Sequence, residues 1–481
     1  MQIQMIALTI DTQSKRPLVE QIVDEVRRHV DDRRVRPGTR LPSIRRFADA
    51  HGVSRFTAVE AYDRLVALGY LEARRGSGFY TTPPRESLAS DAPAPGQEHN
   101  EALVSLIRRL LQAGDGLVLA GGAWLPNAWM DELGLRRALT TVARRPGSHV
   151  LEYGNPLGYG PLREQLSLML SERGIAAAPG QIVLTQGTSQ ALDLVIRRFV
   201  RPGETVLVDD PGYYNLFGSL RLAGARLAGV PRLADGPDTA MLERLASEHR
   251  PRVYFTQSIL QNPTGTVMAA HSAFRVLQLA ERYDFMVVED DIFCDLHDRA
   301  VPRLAALDQL NRVVYVRSFS KTLSGALRVG FAAARQPVAD QLADVKMLSS
   351  ITSSQFAERV LYAVLLDGHY RKYLGRLLKR LDEARLAAIH AFDQLGLEMF
   401  AEPEGGLFLW ARFPHVENAM DLVTPARERG IVIAPGTVFR PDLQSSPWMR
   451  FNVTVCQEPR LLAWLEEVAA GAAVPLAQAA E

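Results

Sequence analysis

Cysteine is nearly absent from this 481-residue chain: Cys294 and Cys456 stand alone, too few for a disulfide framework and without the spacing of a metal site. No apolar run approaches the roughly 20 residues that span a bilayer. Met1–Ile10 has neither the basic segment nor the small-residue cleavage site of a signal peptide. A disulfide scaffold and a membrane protein are therefore not expected, and a cytoplasmic chain is. A surplus of one charge is lacking too, since 55 Lys and Arg face 54 Asp and Glu. That balance is unevenly shared. Residues 1–83 hold 14 basic against 10 acidic residues, and the remainder carries a small acidic surplus, the pattern of a nucleic-acid-facing head on a slightly acidic body. With 47% hydrophobic and 23% charged residues, the chain has enough apolar material for two or three domains.

From Pro17 to Asp31, Leu18, Ile22, Val26 and Val30 recur at helical spacing. Pro37-Gly38 makes a turn, and Ser43 is positioned to cap a second helix with Phe47 and Ala48 inward. Gly52 ends that helix. Ser54 caps a third, running through Leu68, with Val59, Tyr62, Leu65 and Val66 expected inside. Two short helices joined by a tight Gly-containing turn form a helix-turn-helix, and Ser54, Arg55 and Thr57 occupy the first turn, where a recognition helix meets DNA. Gly69–Glu72 and Gly78–Thr81 read as two strands around Arg74-Arg75-Gly76-Ser77, a hairpin wing with a basic tip. A small three-helix interaction domain is the competing interpretation of these pieces taken singly. Taken together they resemble the winged helix-turn-helix of GntR-type regulators. The resemblance rests on Pro17-Leu18, Gln21-Ile22, Pro37 to Ser43, Arg45, Gly52 to Arg55, Thr57, Tyr62, Arg64-Leu65, Gly69 to Leu71 and Gly76 to Gly78. It implies that Arg45, Ser54, Arg55, Thr57, Arg75 and Gly76 touch DNA.

Pro83 to Asn100 is rich in Pro, Ala, Ser and charge and reads as a semi-flexible tether. Beyond it, short apolar runs at 183–185, 205–208, 253–256, 285–288 and 313–316 alternate with helix-length segments, the pattern of an α/β sheet covered on both faces. Ligands of such sheets collect at strand ends. The ends here carry Gln186-Gly187-Thr188, a phosphate turn or simply a tight one, then Tyr213, an aromatic face. They continue with Asn262, an amide, then Glu289-Asp290-Asp291, and finally Ser318-Phe319-Ser320-Lys321 with Arg328 downstream. A desolvated lysine among hydroxyls and an arginine describes a pocket for pyridoxal phosphate; a surface lysine in a Ser-rich loop is the plainer alternative for that stretch alone.

The order and spacing of the five strand ends resemble the fold-type I pyridoxal-phosphate enzymes, the aminotransferases, over about residues 115–470. The resemblance implies that Lys321 forms the Schiff base, Asp290 holds the pyridinium, Tyr213 stacks on the ring and Asn262 bonds its phenolic oxygen. It assigns the phosphate to Gly187, Thr188, Ser318, Ser320 and Arg328. By the same resemblance Tyr153 reaches the phosphate of a neighbouring subunit, and Arg450 clamps an effector carboxylate, a task suited to its planar fork. Arg450 in a structural ion pair is the plainer alternative, and for Asp291 a capping or solvated role is expected. One position departs from the pattern. These relatives carry a tyrosine two or three residues after the aspartate, where this chain has Ile292 and Phe293, so weak transamination is expected.

The expected architecture is multidomain. It has a winged helix-turn-helix at 11–83, a linker at 84–100, an α/β fold-type I aminotransferase-like body at 101–470 and a tail at 471–481. That layout is similar to the MocR subfamily of transcriptional regulators. The resemblance implies a pyridoxal-phosphate-dependent regulator with operator DNA and an amino acid, amine or the cofactor itself as partners. It further implies a head-to-tail homodimer; from composition and spacing, no metal and no membrane are expected. The competing function is a working aminotransferase with an accessory head.

Overall fold

The computed structural model describes residues 14, 16–31, 35, 37–74, 77–82, 116–145, 147, 151–297, 301 and 303–471. Arg75 and Gly76, the linker and nearly all of the C-terminal tail lie outside them. The chain divides into two compact units, Met1–Gln97 and Glu98–Glu481.

The first unit holds α1 (Leu18–Asp31), α2 (Ile44–His51), α3 (Arg55–Ala67) and an antiparallel hairpin, β1 (Leu71–Arg74) with β2 (Gly78–Thr81). Ser43 caps α2 and Ser54 caps α3 through their side-chain oxygens, and Gly52 closes α2 at φ +64, a conformation that favours glycine. Tyr62 is the centre of the packing. Its ring meets Phe47 and Phe79 edge-on at 5.2 and 4.9 Å, and its hydroxyl donates to the Pro42 carbonyl at 3.0 Å. One aromatic side chain thus fixes α3 against both α2 and the wing. Ile22, Val26 and Val30 are buried as their spacing predicts. Val59 is not: it is exposed, because α3 turns only Ala58, Ala61, Tyr62 and Leu65 to the core. The helix ends at Ala67 and the wing begins at Leu71, slightly inside the expected bounds.

The second unit is built on an eight-stranded sheet: β3 (Ile182–Thr185), β4 (Thr205–Asp210), β5 (Arg226–Leu233), β6 (Gly236–Pro237), β7 (Val253–Thr256), β8 (Met286–Asp290), β9 (Val313–Ser318) and β10 (Gly330–Ala333), in the order 3-10-9-8-7-4-5-6. Strands 9-8-7-4-5 are mutually parallel. β10 runs against both β3 and β9, so the C-terminal ends of β3, β4, β7, β8 and β9 share one edge. Alternate side chains feed separate cores on the two faces: Leu184, Leu207, Val287 and Phe331 on one, Val183, Val208, Val288 and Val316 on the other. Both faces are covered, as the apolar runs predict. A four-stranded antiparallel sheet, β11 (Glu398–Met399), β12 (Phe408–Arg412), β13 (Ala434–Pro435) and β14 (Met449–Asn452), forms the smaller part. The strand-like segment at Val118–Gly121 hydrogen-bonds along it, through Gly430, Val432 and Asn452. Among the described residues no helix is long and apolar enough to cross a membrane.

Candidate functional site

Register brings the first pieces of the site together. Gly330 pairs with Thr185 on one side and Ser318 on the other, so the turn after β3 and the loop after β9 flank one residue. That residue must be small, since a Cβ on Gly330 would lie 2.8 Å from the Arg317 carbonyl and the Gly187 backbone. Gly187 itself, at φ +75, opens the helix Gly187–Phe199, and a Cβ there would meet the Arg328 guanidinium at 2.7 Å. Arg328 holds φ +52, a left-handed conformation costing roughly 1–2 kcal/mol for a non-glycine. From it the guanidinium donates to the Gln186 carbonyl at 3.0 Å and to Ser320 Oγ at 3.4 Å. Ser318 Oγ donates to Ser320 Oγ at 2.8 Å and accepts the Ser320 N–H at 3.0 Å. Gly187, Thr188, Ser318, Ser320 and Arg328 therefore converge on one helix N-terminus, a cluster of hydroxyl, guanidinium and backbone N–H donors suited to an anion.

Lys321 lies beside that cluster. Its Nζ donates to the Ala123 carbonyl at 2.7 Å and sits 5.9 Å from the centre of the buried Phe293 ring. Burial, reinforced by the Arg450 charge, lowers its pKa from 10.5 to about 8. Asp290, at the end of β8, is buried. Its Oδ2 accepts from Gln257 Nε2 at 3.2 Å, while Oδ1 has no partner among the described residues. Burial first, and then the neighbouring Asp291 charge, raise its pKa from 3.8 to about 7. Tyr213 and Asp290 line the same narrow cavity of about 20 Å³. Asn262 completes the group: its Oδ1 accepts from Arg450 Nη1 at 2.7 Å, which leaves its amide Nδ2 as the donor.

Arg450, on β14, is fully buried. Nη2 donates to the Gly121 carbonyl at 2.6 Å, the guanidinium lies 4.6 and 4.9 Å from the Phe408 and Phe439 ring centres, and Nε is unpartnered. No carboxylate pairs with it among the described residues, so the structural ion pair is not there. A buried cation without an anion is costly.

Asp291 departs from expectation. It is neither solvated nor a cap, but buried in a pair with Arg303 and accepting from the Tyr315 hydroxyl at 2.7 Å. Asp209 is tied likewise to Arg232, Tyr254, Thr256 and the Gln257 N–H, and so positions Gln257. That glutamine, which also accepts the Asn262 N–H at 2.8 Å, is not among the strand-end residues singled out by sequence. Its place directly after β7 was the available signal. A second lysine, the buried Lys346, spends its ammonium on the Pro156 and Leu184 carbonyls and Ser353 Oγ, at 2.7 to 2.9 Å. Tyr153 stands apart, 81% exposed.

In the head, Arg45, Ser54 and Arg55 are exposed and Thr57 is half-buried. Ser54 and Thr57 are bound to one another, Oγ to Oγ1 at 2.8 Å, and Ser54 Oγ accepts the Thr57 N–H. Phe56, between them and not singled out by sequence, is exposed.

Two family models match the chain: the gntR family of bacterial regulatory proteins at 18–81 and aminotransferase class I and II at 121–465. The chain is 29% identical to the probable rhizopine catabolism regulatory protein MocR of Rhizobium meliloti, over 89% of its own length and 88% of that protein. It is 32% identical to 2-aminoadipate transaminase of Thermus thermophilus, over 70% of its length and 85% of that enzyme. Among solved structures, the alpha-aminoadipate aminotransferase of Thermus thermophilus, complexed with N-(5'-phosphopyridoxyl)-L-leucine, superposes with a TM-score of 0.71 at 27% identity, covering 78% of this chain and 98% of that one.

Proposed function

We propose, because the chain belongs to the class I and II aminotransferase family over its body and carries a gntR-type head, that it is a pyridoxal-phosphate-dependent transcriptional regulator of the MocR type. The observation that carries this reading is the joining of both parts in one chain. The regulator relative matches over 89% of the length, where the transaminase matches over 70%.

The side chains fit the cofactor. An unpartnered Asp290 Oδ1 calls for a cation, which a protonated pyridine nitrogen is, and the donor cluster around Gly187 calls for an anion, which the phosphate is. Lys321 holds the cofactor covalently and Tyr213 packs against its ring. Asn262 donates to its phenolic oxygen, and Gly187, Thr188, Ser318, Ser320 and Arg328 hold its phosphate. Bound there, pyridoxal phosphate supplies an electrophilic carbon for amines and an electron sink. Arg450 receives the carboxylate of an amino-acid-like effector, and the exposed Tyr153 serves the neighbouring subunit of a homodimer. Arg45, Arg55 and the first turn of α3 with Ser54 and Thr57 contact operator DNA, with the wing tip at Arg75 and Gly76. Two heads imply two half-sites. An effector switches DNA affinity only by binding two conformers unequally.

Protection of paired half-sites in footprinting, altered by cofactor or effector, is the expected result. Sustained transamination of an amino-acid panel at enzyme-like rates, with no DNA protection, would instead support the accessory-head enzyme. The buried Phe293, packed edge-on against Phe408 at 5.2 Å, favours the sensor because it cannot donate to the cofactor's oxygen. Phe293→Tyr is expected to move the visible absorbance titration of the loaded chain to lower pH, since the added hydroxyl stabilises a phenolate beside it. An unmoved titration would show that the side chain does not reach the ring.

A further inference from the structure

The head leaves a large apolar side chain uncovered on α3. Phe56 is 76% exposed and Val59, one turn on, is 37% exposed, whereas Tyr62 and Leu65 of the same helix are fully buried. The i, i+3 spacing puts Phe56 and Val59 on one face. Leaving a phenylalanine in water forfeits roughly 1.5–3 kcal/mol of burial, and the core of the head is complete without it.

The surroundings choose the occupant. Arg45 and Arg55 are exposed nearby in sequence, and neither α2 nor α3 has an acidic residue in its first turn. Glu60, one turn on from Phe56, is paired with Arg64 at 2.7 Å, so the uncompensated charge in the first turns is cationic, and an apolar centre beside it fits duplex DNA better than a protein partner. The phosphates meet the arginines, and the major groove offers one apolar base substituent, the C5-methyl of thymine. The two hydroxyls of the same turn are bound to one another, which commits one of their two O–H donors within the turn and leaves Phe56 as its large exposed apolar side chain.

We infer that Phe56 is a specificity-determining residue that reads a thymine through its methyl group. This rests on the reading of the head as a DNA-binding module and names the base it selects.

The test uses the full chain and a duplex recovered by in vitro selection from random DNA. Each thymine is replaced in turn by deoxyuridine, which removes only the methyl. Burying one methyl is worth about fourfold in affinity, so one or two positions per half-site should weaken wild-type binding by about that factor. Phe56→Ala should bind the parent duplex correspondingly less well and show no further loss at those positions. Because Phe56 is exposed, the variant should melt with the wild type. Unchanged affinity of Phe56→Ala, or deoxyuridine losses that persist in it, would overturn the inference while leaving DNA binding intact. If the wild-type chain selected no sequence, and Arg55→Ala left its DNA affinity unchanged, the regulator reading would fall, and this one with it.

Discussion

Lys321→Ala is expected to abolish the yellow absorbance of the chain incubated with pyridoxal phosphate, and to leave no borohydride-fixable adduct in its mass spectrum. The argument is electrostatic. An ordinary lysine with pKa 10.5 is neutral at pH 7 in about three molecules per ten thousand, and one at about 8 in about one in ten. Burial and the Arg450 charge thus raise the nucleophilic fraction of Lys321 by roughly 300-fold. Its hydrogen bond to the Ala123 carbonyl is readily given up. Lys346 is also brought down to about 8 by burial, yet it cannot substitute. All three of its N–H bonds are committed, to Pro156, Leu184 and Ser353, and withdrawing it would strand the buried Leu184 carbonyl at a cost of about 1–3 kcal/mol. A yellow band persisting in Lys321→Ala would make another lysine, such as Lys346, the anchor and overturn the assignment. Unchanged thermal melting of the cofactor-free variant separates loss of the anchor from loss of the fold.

That anchor was legible in the sequence because the chain uses lysine so sparingly. Five lysines stand against fifty arginines, and one of the five lies just beyond the apolar run 313–316. The other strand ends were legible as glycine, aromatic, amide and carboxylate residues at or a few positions beyond apolar runs, where a buried sheet has its functional edge; Gln257, directly after β7, was not. Three strands of the large sheet escaped, the two-residue β6 among them. β5 carries Gly229 and Pro231 and lies near the sheet's end, so neither an apolar run nor an alternation marks it. β10 is four small or aromatic residues, Gly330–Ala333, antiparallel to its neighbours, and only the register shows that it joins the phosphate turn to the lysine loop. The carbonyls of Gly121 and Ala123, which hold Arg450 and Lys321, carry no side-chain signal and were out of reach of any motif. Helical spacing misled at Val59 because α3 is already held by Ala58, Ala61, Tyr62 and Leu65, and Val59, at the edge of that face, is left outside the core.

Asp290→Asn is expected to act in opposite directions on the empty and the loaded chain. In the empty chain the carboxyl is buried with Oδ1 unpartnered, and its pKa is raised from 3.8 to about 7. The native state therefore holds a proton that the unfolded chain releases near 3.8. Stability falls as pH rises from about 4 to about 7 and then stays lowered, because above 7 the folded protein must carry the buried charge. The gap between the two values corresponds to about 4 kcal/mol at most. Asparagine carries no charge at any of these pH values, so the cofactor-free variant should exceed the wild type in urea stability at pH 8 and match it near pH 4. Glu289, also raised to about 7 by burial, gives the same trend in both proteins and cancels in the comparison. With pyridoxal phosphate present the order should reverse. The carboxylate gains a cationic partner in the ring nitrogen and the amide does not, so the variant should lose cofactor affinity and lose the ligand-induced gain in melting temperature. Equal cofactor affinity in the two proteins would show that Asp290 does not face the ring nitrogen. Equal stability at pH 8 would show that the carboxyl finds a partner in the empty chain. The charge that makes the empty site unstable is then the same charge that makes it selective, and a body destabilised until its cofactor arrives is well suited to report the arrival.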